Sequence, residues 1–191
     1  MKYSLFLLFF LTVLFPNCKK EQIIIKTPDP IDTIVPIEHI IDLGKGSVIK
    51  NGSNWVATNT ATYHYHTKTR FFLVAKNEYS NGLKETFAIQ DILLQKGKQL
   101  IEYATSIGDL SNSVPNAAYT MSAYDEGIGN FYPDTTRTGN FIEILRVDTM
   151  ANEVEGRYQV FLGKDSPSTI QGVPDSVFLT EGKFYLKLKS L

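Results

Sequence analysis

From Trp55 the chain alternates over a dozen residues: Trp55, Ala57, Asn59, Ala61, Tyr63 and Tyr65 share one parity, and Thr58, Thr60, Thr62, His64 and His66 the other. Side chains of an extended strand point to opposite faces in turn, so a period of two demands a strand with one covered and one solvated side. Just upstream, Asn51 and Gly52 separate the two apolar runs of VIKNGSNWVA. A type I′ turn needs positive φ at both central residues, which Asn and Gly tolerate, so this stretch predicts a hairpin.

Strand-like runs recur at 70–78, 83–94, 99–107, 118–124, 140–148, 153–164 and 176–188, with Asn81, Gly82 and Gly97 supplying turns. In EVEGRYQVFLG, Val154, Gly156, Tyr158, Val160 and Leu162 share a face, and in NFIEILRVD, Ile142, Ile144 and Arg146 oppose Phe141, Glu143, Leu145 and Val147. The last run changes parity: Val177 and Leu179 come before Gly182, and Phe184, Leu186 and Leu188 after it. A bulge at the glycine would keep both halves on one core. FAIQDILLQKG fits neither period cleanly and is read as strand. About eight or nine short strands, with no long helical stripe, predict an all-β domain. It is either an antiparallel sandwich or a flattened up-and-down barrel, and periodicity does not choose between them.

The amino terminus is different. Met1, Lys2 and Tyr3 form a short positive region, and residues 5–15 are apolar except for Thr12, the length of a signal-peptide core. A membrane-spanning helix needs about 20 apolar residues, whereas this run stops at Pro16. Cys18 is the sole cysteine and has no partner for an internal disulfide. Residues 1–17 are read as a signal peptide, 18–46 as an extended tether and 47–191 as the β-domain. Pro28, Pro30 and Pro36 bar a continuous helix in the tether. The stretch from Lys19 to Ile40, if polyproline-like, would reach roughly 70 Å. Its isoleucines are more apolar than a solvated linker requires, so part of it is expected to pack as an edge strand.

LFPNCKKE resembles a lipobox, and CKKE is similar to the opening of Bacteroidetes lipoproteins, although Asn17 stands where Gly, Ala or Ser is usual. The resemblance implies that Cys18 becomes the first mature residue and carries a diacylglycerol. That would place the protein at the outer membrane, on its periplasmic or cell-surface face. The remainder resembles a β-rich domain of unknown function in Bacteroidetes lipoproteins, through Asp148, Val154, Gly156, Tyr158, Thr180, Gly182 and Phe184, with Glu155 as a departure. Those motif positions are turn glycines and core aromatics, and the family supplies no catalytic residue.

Nothing in the rest of the chain assigns a reaction. With 19 basic and 20 acidic residues and a formal charge of −1, there is no basic stripe to neutralise phosphates, so nucleic acid is set aside as a partner. His64 and His66 could offer two nitrogens from one strand face, with His39 the only other histidine, but their threonine-rich side reads as an exposed polar face. No metal or cofactor is expected. No G-x-S-x-G elbow exists, and GKGSVIKNG and GIGNFY lack phosphate-loop spacing and read as turns. Asp125, Glu126, Asp134 and Glu143 lie near one another in sequence, where a carboxylate pair could hydrolyse glycosides; Asp125 and Glu126 also read as solvated turn residues. Tyr119, Tyr124, Phe131 and Tyr132 frame an irregular stretch at 125–138 and could stack on sugars or plug the end of the sheet. Asp-Ser/Thr triplets similar to Bacteroidetes O-glycosylation acceptors mark Thr33, Thr135, Thr149 and Ser176, where composition alone would give about one. The leading expectation is a lipid-anchored exported protein whose β-domain binds or scaffolds a protein or glycan partner. The alternatives are a carbohydrate-active hydrolase using carboxylates between Tyr124 and Arg137, and a small apolar-ligand carrier if the barrel is open.

Overall fold

The computed structural model describes residues 39–64, 67–103, 114–165, 170 and 172–190. They form eleven strands: β1 (Lys45–Lys50), β2 (Ser53–Asn54), β3 (Thr58–His64), β4 (Thr67–Glu78), β5 (Leu83–Leu93), β6 (Gly97–Leu100), β7 (Asn116–Ala123), β8 (Glu126–Pro133), β9 (Phe141–Asp148), β10 (Glu153–Lys164) and β11 (Ser176–Lys189). The strand order is β2-β1-β11-β3-β4-β5-β7-β8-β10-β9-β6, with β11 also paired to β10. That extra pairing closes a ring through β3, β4, β5, β7, β8, β10 and β11, and leaves β1–β2 and β9–β6 as wings. A parallel seam, Leu188 to Ala61 and Lys189 to Thr62, joins β11 to β3. Leu162 to Pro133, Gly163 to Tyr132 and Lys164 to Phe131 join β10 to β8. The fold is therefore a flattened barrel whose two broad faces also pack as a sandwich.

The Asn51–Gly52 turn is present, with φ of 49° and 81°, and connects β1 to β2. At Tyr79 the β4–β5 hairpin closes through Gly82 N–H to Tyr79 O (3.0 Å) and Tyr79 N–H to Leu83 O (2.8 Å), with Gly82 left-handed at 80°. The folded chain starts upstream of Ser47. β1 begins at Lys45, Gly44 N–H already bonds to Tyr185 O at 2.7 Å, and Ile40 N–H reaches Glu155.

Three bulges explain where a simple period fails. In β11, Glu181 takes a φ of 53°, and the register with both β1 and β10 slips there. Val177 and Leu179 on one side, and Phe184, Leu186 and Leu188 on the other, are consequently all buried. In β5, Asp91 takes a φ of 57° where the register with β4 slips, so Phe87, Ile89 and Ile92 all face inward despite their mixed spacing. That slip is why FAIQDILLQKG fits no single period. At the end of β3 the pairing jumps from Tyr63 with Phe71 to His64 with Thr67. The expected exposure of His64 is overturned, though not its face: it is only 6% exposed and packs at 5.1 Å on Phe72, which pairs with Thr62 on the threonine side.

Two more expectations change. GIGNFY is not a turn but the body of β8, and the irregular stretch shrinks to the loop after Pro133. GKGSVIKNG is mostly β1, with a turn at Gly44 and another at Asn51 and Gly52. Gly129 allows β8 its close packing, since a Cβ there would lie 3.0 Å from both the Phe131 ring and Val173.

Aromatic rings cross the interior. Phe87 of β5 stacks on Tyr158 of β10 at 5.4 Å, Tyr158 meets Phe184 at 6.4 Å, and Phe184 meets Phe71 of β4 at 6.5 Å. Each such ring buried contributes about 1.5–3 kcal/mol. Together they fill the space between the broad faces.

Candidate functional site

After Pro133 the chain crosses from β8 to β9 beside β10. Asp134 N–H donates to Phe161 O at 2.9 Å, and Phe161 N–H donates to the Asn140 Oδ1 at 2.7 Å, so the backbone of β10 holds both ends of the loop. The Asp134 carboxylate accepts the Thr136 hydroxyl (2.6 Å) and Thr136 N–H (2.9 Å), and these bonds hold its carboxyl below the ordinary range. Arg137 sits 3.4 Å from Asp134 and 4.6 Å from the Phe178 ring centre, laid over the Phe161–Phe178 pair on the outer face.

Between this loop and the segment following β6 runs a groove of about 480 Å³, lined by Leu100, Tyr103, Pro133, Asp134, Arg137 and Asn140 among others. A second hollow of about 320 Å³ shares Tyr103, Pro133, Asp134 and Thr135 with it and continues past Tyr132 to Lys164 and Asp165. Tyr103 and Tyr132 meet edge to face at 5.7 Å, with Tyr103 44% and Leu100 62% exposed. The exposed Tyr103 ring and the half-buried Tyr132 ring beside oriented charges offer an apolar surface together with hydrogen-bonding groups, the combination that suits a sugar or an extended peptide.

The sequence-derived candidates do not converge here. Tyr119 and Phe131 are buried in the core, T-shaped to each other at 5.6 Å. Tyr124, 81% exposed, lies at the β7–β8 turn against Gly82, and of the four aromatics only Tyr132 reaches the groove. Asp125 pairs with Lys84 at 2.8 Å, and Glu143 pairs with Arg157 at 2.7 Å on β9. The eight residues of β8 hold Asp125 and Asp134 about 25 Å apart, against roughly 5–9.5 Å for a glycosidase pair. Among the described residues no group of three or more His, Cys, Asp or Glu side chains could hold a metal ion. Cys18, Thr33, Tyr65 and His66 lie outside the described residues. Thr135 and Thr149 are exposed in turns, while Ser176 is half-buried as the first residue of β11.

Two polar clusters had no sequence signal because their members are far apart in the chain. At the β1–β2 end, Lys50 donates to both oxygens of Glu85 at 2.6 Å and to Tyr119 at 3.1 Å, and Glu85 also accepts from Trp55 Nε1 (2.7 Å) and the Tyr79 hydroxyl (2.8 Å). Burial pushes Glu85 up, but the bonds from Lys50, Tyr119 and Tyr79 outweigh it and hold the carboxyl below the usual range. With its acceptor positions occupied, Glu85 is a plug for this end of the barrel and not a base. On the outer face of β9–β10–β11, Arg146, Glu155 and Tyr185 lie opposite one another in register. His39 stacks on Tyr185 at 4.3 Å, its Nδ1 is 2.7 Å from Glu155, and Arg146 reaches its Nε2 at 3.1 Å. Since Arg can only donate, Nε2 is the acceptor and Nδ1–H donates to Glu155. Comparison with protein families, curated proteins and solved structures found no match to this chain.

Proposed function

We propose that this is an exported, lipid-anchored envelope protein whose β-domain is a binding module, with Cys18 as the acylated residue and the groove at Tyr103 and Tyr132 as the ligand site. The observation that carries the binding half is the edge-to-face pair of exposed Tyr103 and half-buried Tyr132, beside Asp134, Arg137 and Lys164. A glycan is the preferred ligand, because a sugar ring presents an apolar face to tyrosine and hydroxyls to the flanking charges. The anchor half rests on the export signal and the lone cysteine. Two or more acyl chains, at about 0.8 kcal/mol per buried methylene, make such attachment durable. The separation of the carboxylates weighs against the hydrolase reading, and the ring-filled interior weighs against an apolar carrier.

Membrane fractionation of a Cys18→Ser strain tests the anchor. The variant is expected to leave the membrane fraction, and co-sedimentation equal to the parent rules the assignment out. Retention on immobilised envelope glycans tests the ligand. The parent should be held and Tyr132→Ala released, whereas equal retention of both denies the groove its role.

A further inference from the structure

Asn140, the residue before β9, lines the groove and is only 8% exposed. Its place is fixed from two sides: its backbone carbonyl accepts Ile101 N–H at 3.2 Å, and its Oδ1 accepts Phe161 N–H at 2.7 Å. The bond from Phe161 identifies the oxygen branch of the side-chain amide, because only that branch accepts. Nδ2 is therefore the other branch, and it has no hydrogen-bond partner among the described residues. The one side-chain atom among those residues that is both sealed from solvent and unpartnered is Asp91 Oδ1. Asn140 Nδ2 thus keeps contact with solvent, and the groove is where Asn140 meets it. A donor on so deeply buried a side chain, held still and left without an acceptor, points to a ligand that supplies one.

The surroundings of that donor narrow the chemistry. Leu100, Ile101 and Pro133 give the same hollow apolar walls, and Leu100 is 62% exposed. Charge favours no ionic ligand: Glu102, Asp134 and Asp165 share the two hollows with Arg137 and Lys164, and Asp134 is paired with Arg137. An uncharged group with an acceptor oxygen and an apolar end fits such a place. On a sugar that group is the acetamido substituent, whose carbonyl accepts and whose methyl buries against hydrocarbon, whereas a ring hydroxyl supplies only the acceptor. We infer that the groove selects N-acetylated sugars, with Asn140 Nδ2 donating to the acetamido carbonyl and the methyl lying against Leu100, Ile101 and Pro133. This assignment rests on the glycan reading above and adds to it the group that is recognised. The sugar ring itself falls to Tyr103, which borders both hollows. A donor fixed in advance loses little freedom when the ligand arrives, so its bond is kept as affinity. Covering it with a ligand that lacks an acceptor forfeits its contact with water and gains nothing in return.

Two probes with one backbone separate this selection from glycan binding in general: cellotriose, and fully acetylated chitotriose, which carries an acetamido group in place of the hydroxyl next to each anomeric carbon. Calorimetric titration of the full mature protein should show at least about tenfold tighter binding of the acetylated probe, the difference between a buried donor satisfied and one left bare. Asn140→Asp keeps an oxygen for Phe161 N–H and exchanges only the donor for an acceptor. It should fold as the parent does and lose the preference. The Asn140 side-chain amide resonances of the parent should shift with the acetylated probe alone, a readout that does not need the variant. Equal affinity of the parent for both probes overturns the selection and leaves the glycan reading standing. A preference that survives in Asn140→Asp overturns the role of the donor. Binding of neither probe overturns the selection, and retention on immobilised envelope glycans then decides the wider reading by itself.

Discussion

Lys50 grips Glu85 through both carboxylate oxygens at 2.6 Å, joining a strand of the β1–β2 wing to the barrel strand β5 across 35 residues of chain. Trp55, Tyr79 and Tyr119 complete the shell around this carboxylate, so the end of the barrel is sealed by a satisfied polar network instead of an apolar plug. Removing one partner of such a pair strands the other's charge, at a cost of about 3–5 kcal/mol. Lys50→Met should therefore lower Tm by about 10 °C, on the scale of 2–4 °C per kcal/mol for a chain of this size. Adding Glu85→Leu should recover much of the loss. A Tm for Lys50→Met equal to the parent's removes the network from any role in stability.

The same carboxylate gives a pH dependence with a definite sign. Glu85 is held below the ordinary range in the folded state, so its stabilisation is complete above the unfolded value near 4.3. It is lost as pH falls through the lower folded value. Subtracting the denaturation profile of Glu85→Gln from that of the parent should leave a difference that shrinks only under acid conditions. A difference independent of pH down to the acid transition contradicts the assignment.

Gly156 and Gly182 face each other's neighbours across β10 and β11: Gly156 lies opposite Phe184, and Gly182 opposite Tyr158. A Cβ on Gly156 would stand 2.5 Å from the Glu143 carbonyl and 2.6 Å from the Phe184 ring, and one on Gly182 would stand 2.6 Å from the Tyr158 ring. Gly127 has open space at the same point. Overpacking of a core typically costs 1–3 kcal/mol, and a backbone carbonyl cannot swing aside. Gly156→Ala should lower the urea midpoint clearly, Gly182→Ala should do likewise, and Gly127→Ala should leave it unchanged. Equal midpoints for Gly156→Ala and Gly127→Ala would mean that the ring-over-glycine packing is not tight.

Much of this architecture was legible because strand periodicity is local. Asn51 and Gly52, the inward set of β10 and the parity change at Gly182 each needed only their neighbours to be read. What escaped depended on chain elsewhere. His64 is covered by Phe72 of the neighbouring strand, a contact invisible in the alternation of TATYHYH alone. β8 was hidden by its two glycines, of which Gly129 lets Phe131 and Val173 pack close. The groove was half legible: Tyr132, Asp134 and Arg137 were singled out with their loop, whereas Tyr103 joins them only through the fold. The Lys50–Glu85 and His39–Glu155 pairs span 35 and 116 residues, and no window of sequence contains both partners.

His39 holds the entry to the domain by one ring and two bonds, with the neighbouring Ile40 N–H bound to the second Glu155 oxygen at 2.6 Å. Local fastening of this kind sets the opening of a segment more than the stability of the whole. His39→Ala should speed hydrogen exchange at Ile40 and Gly44 while changing global stability by only about 1 kcal/mol. Glu155→Ala should accelerate the same amides and also cost more overall, because Arg146 loses the acid opposite it. Unchanged exchange at Ile40 in both variants would show that the clasp does not hold the chain.

Asp134 and Asp148 build the same device at two places. Asp134 Oδ1 accepts Thr136 N–H at 2.9 Å, and Asp148 Oδ1 accepts Met150 N–H at 3.1 Å and Ala151 N–H at 2.9 Å. Each carboxylate folds the chain back on itself, which leaves Thr135 and Thr149 exposed at the two tips; Met150 beside Thr149 is 95% exposed. Ser176 instead pairs with Gly163 within the β10–β11 ladder, and its carbonyl takes a bond from Asn51. If these hydroxyls are glycan acceptors, an exporting host should therefore modify Thr135 and Thr149 fully and Ser176 little. Peptide mapping of the mature protein should show added mass on the first two tips. Thr149→Ala should remove one glycan mass without moving Tm, and a mature mass equal to polypeptide plus lipid eliminates all of these acceptors.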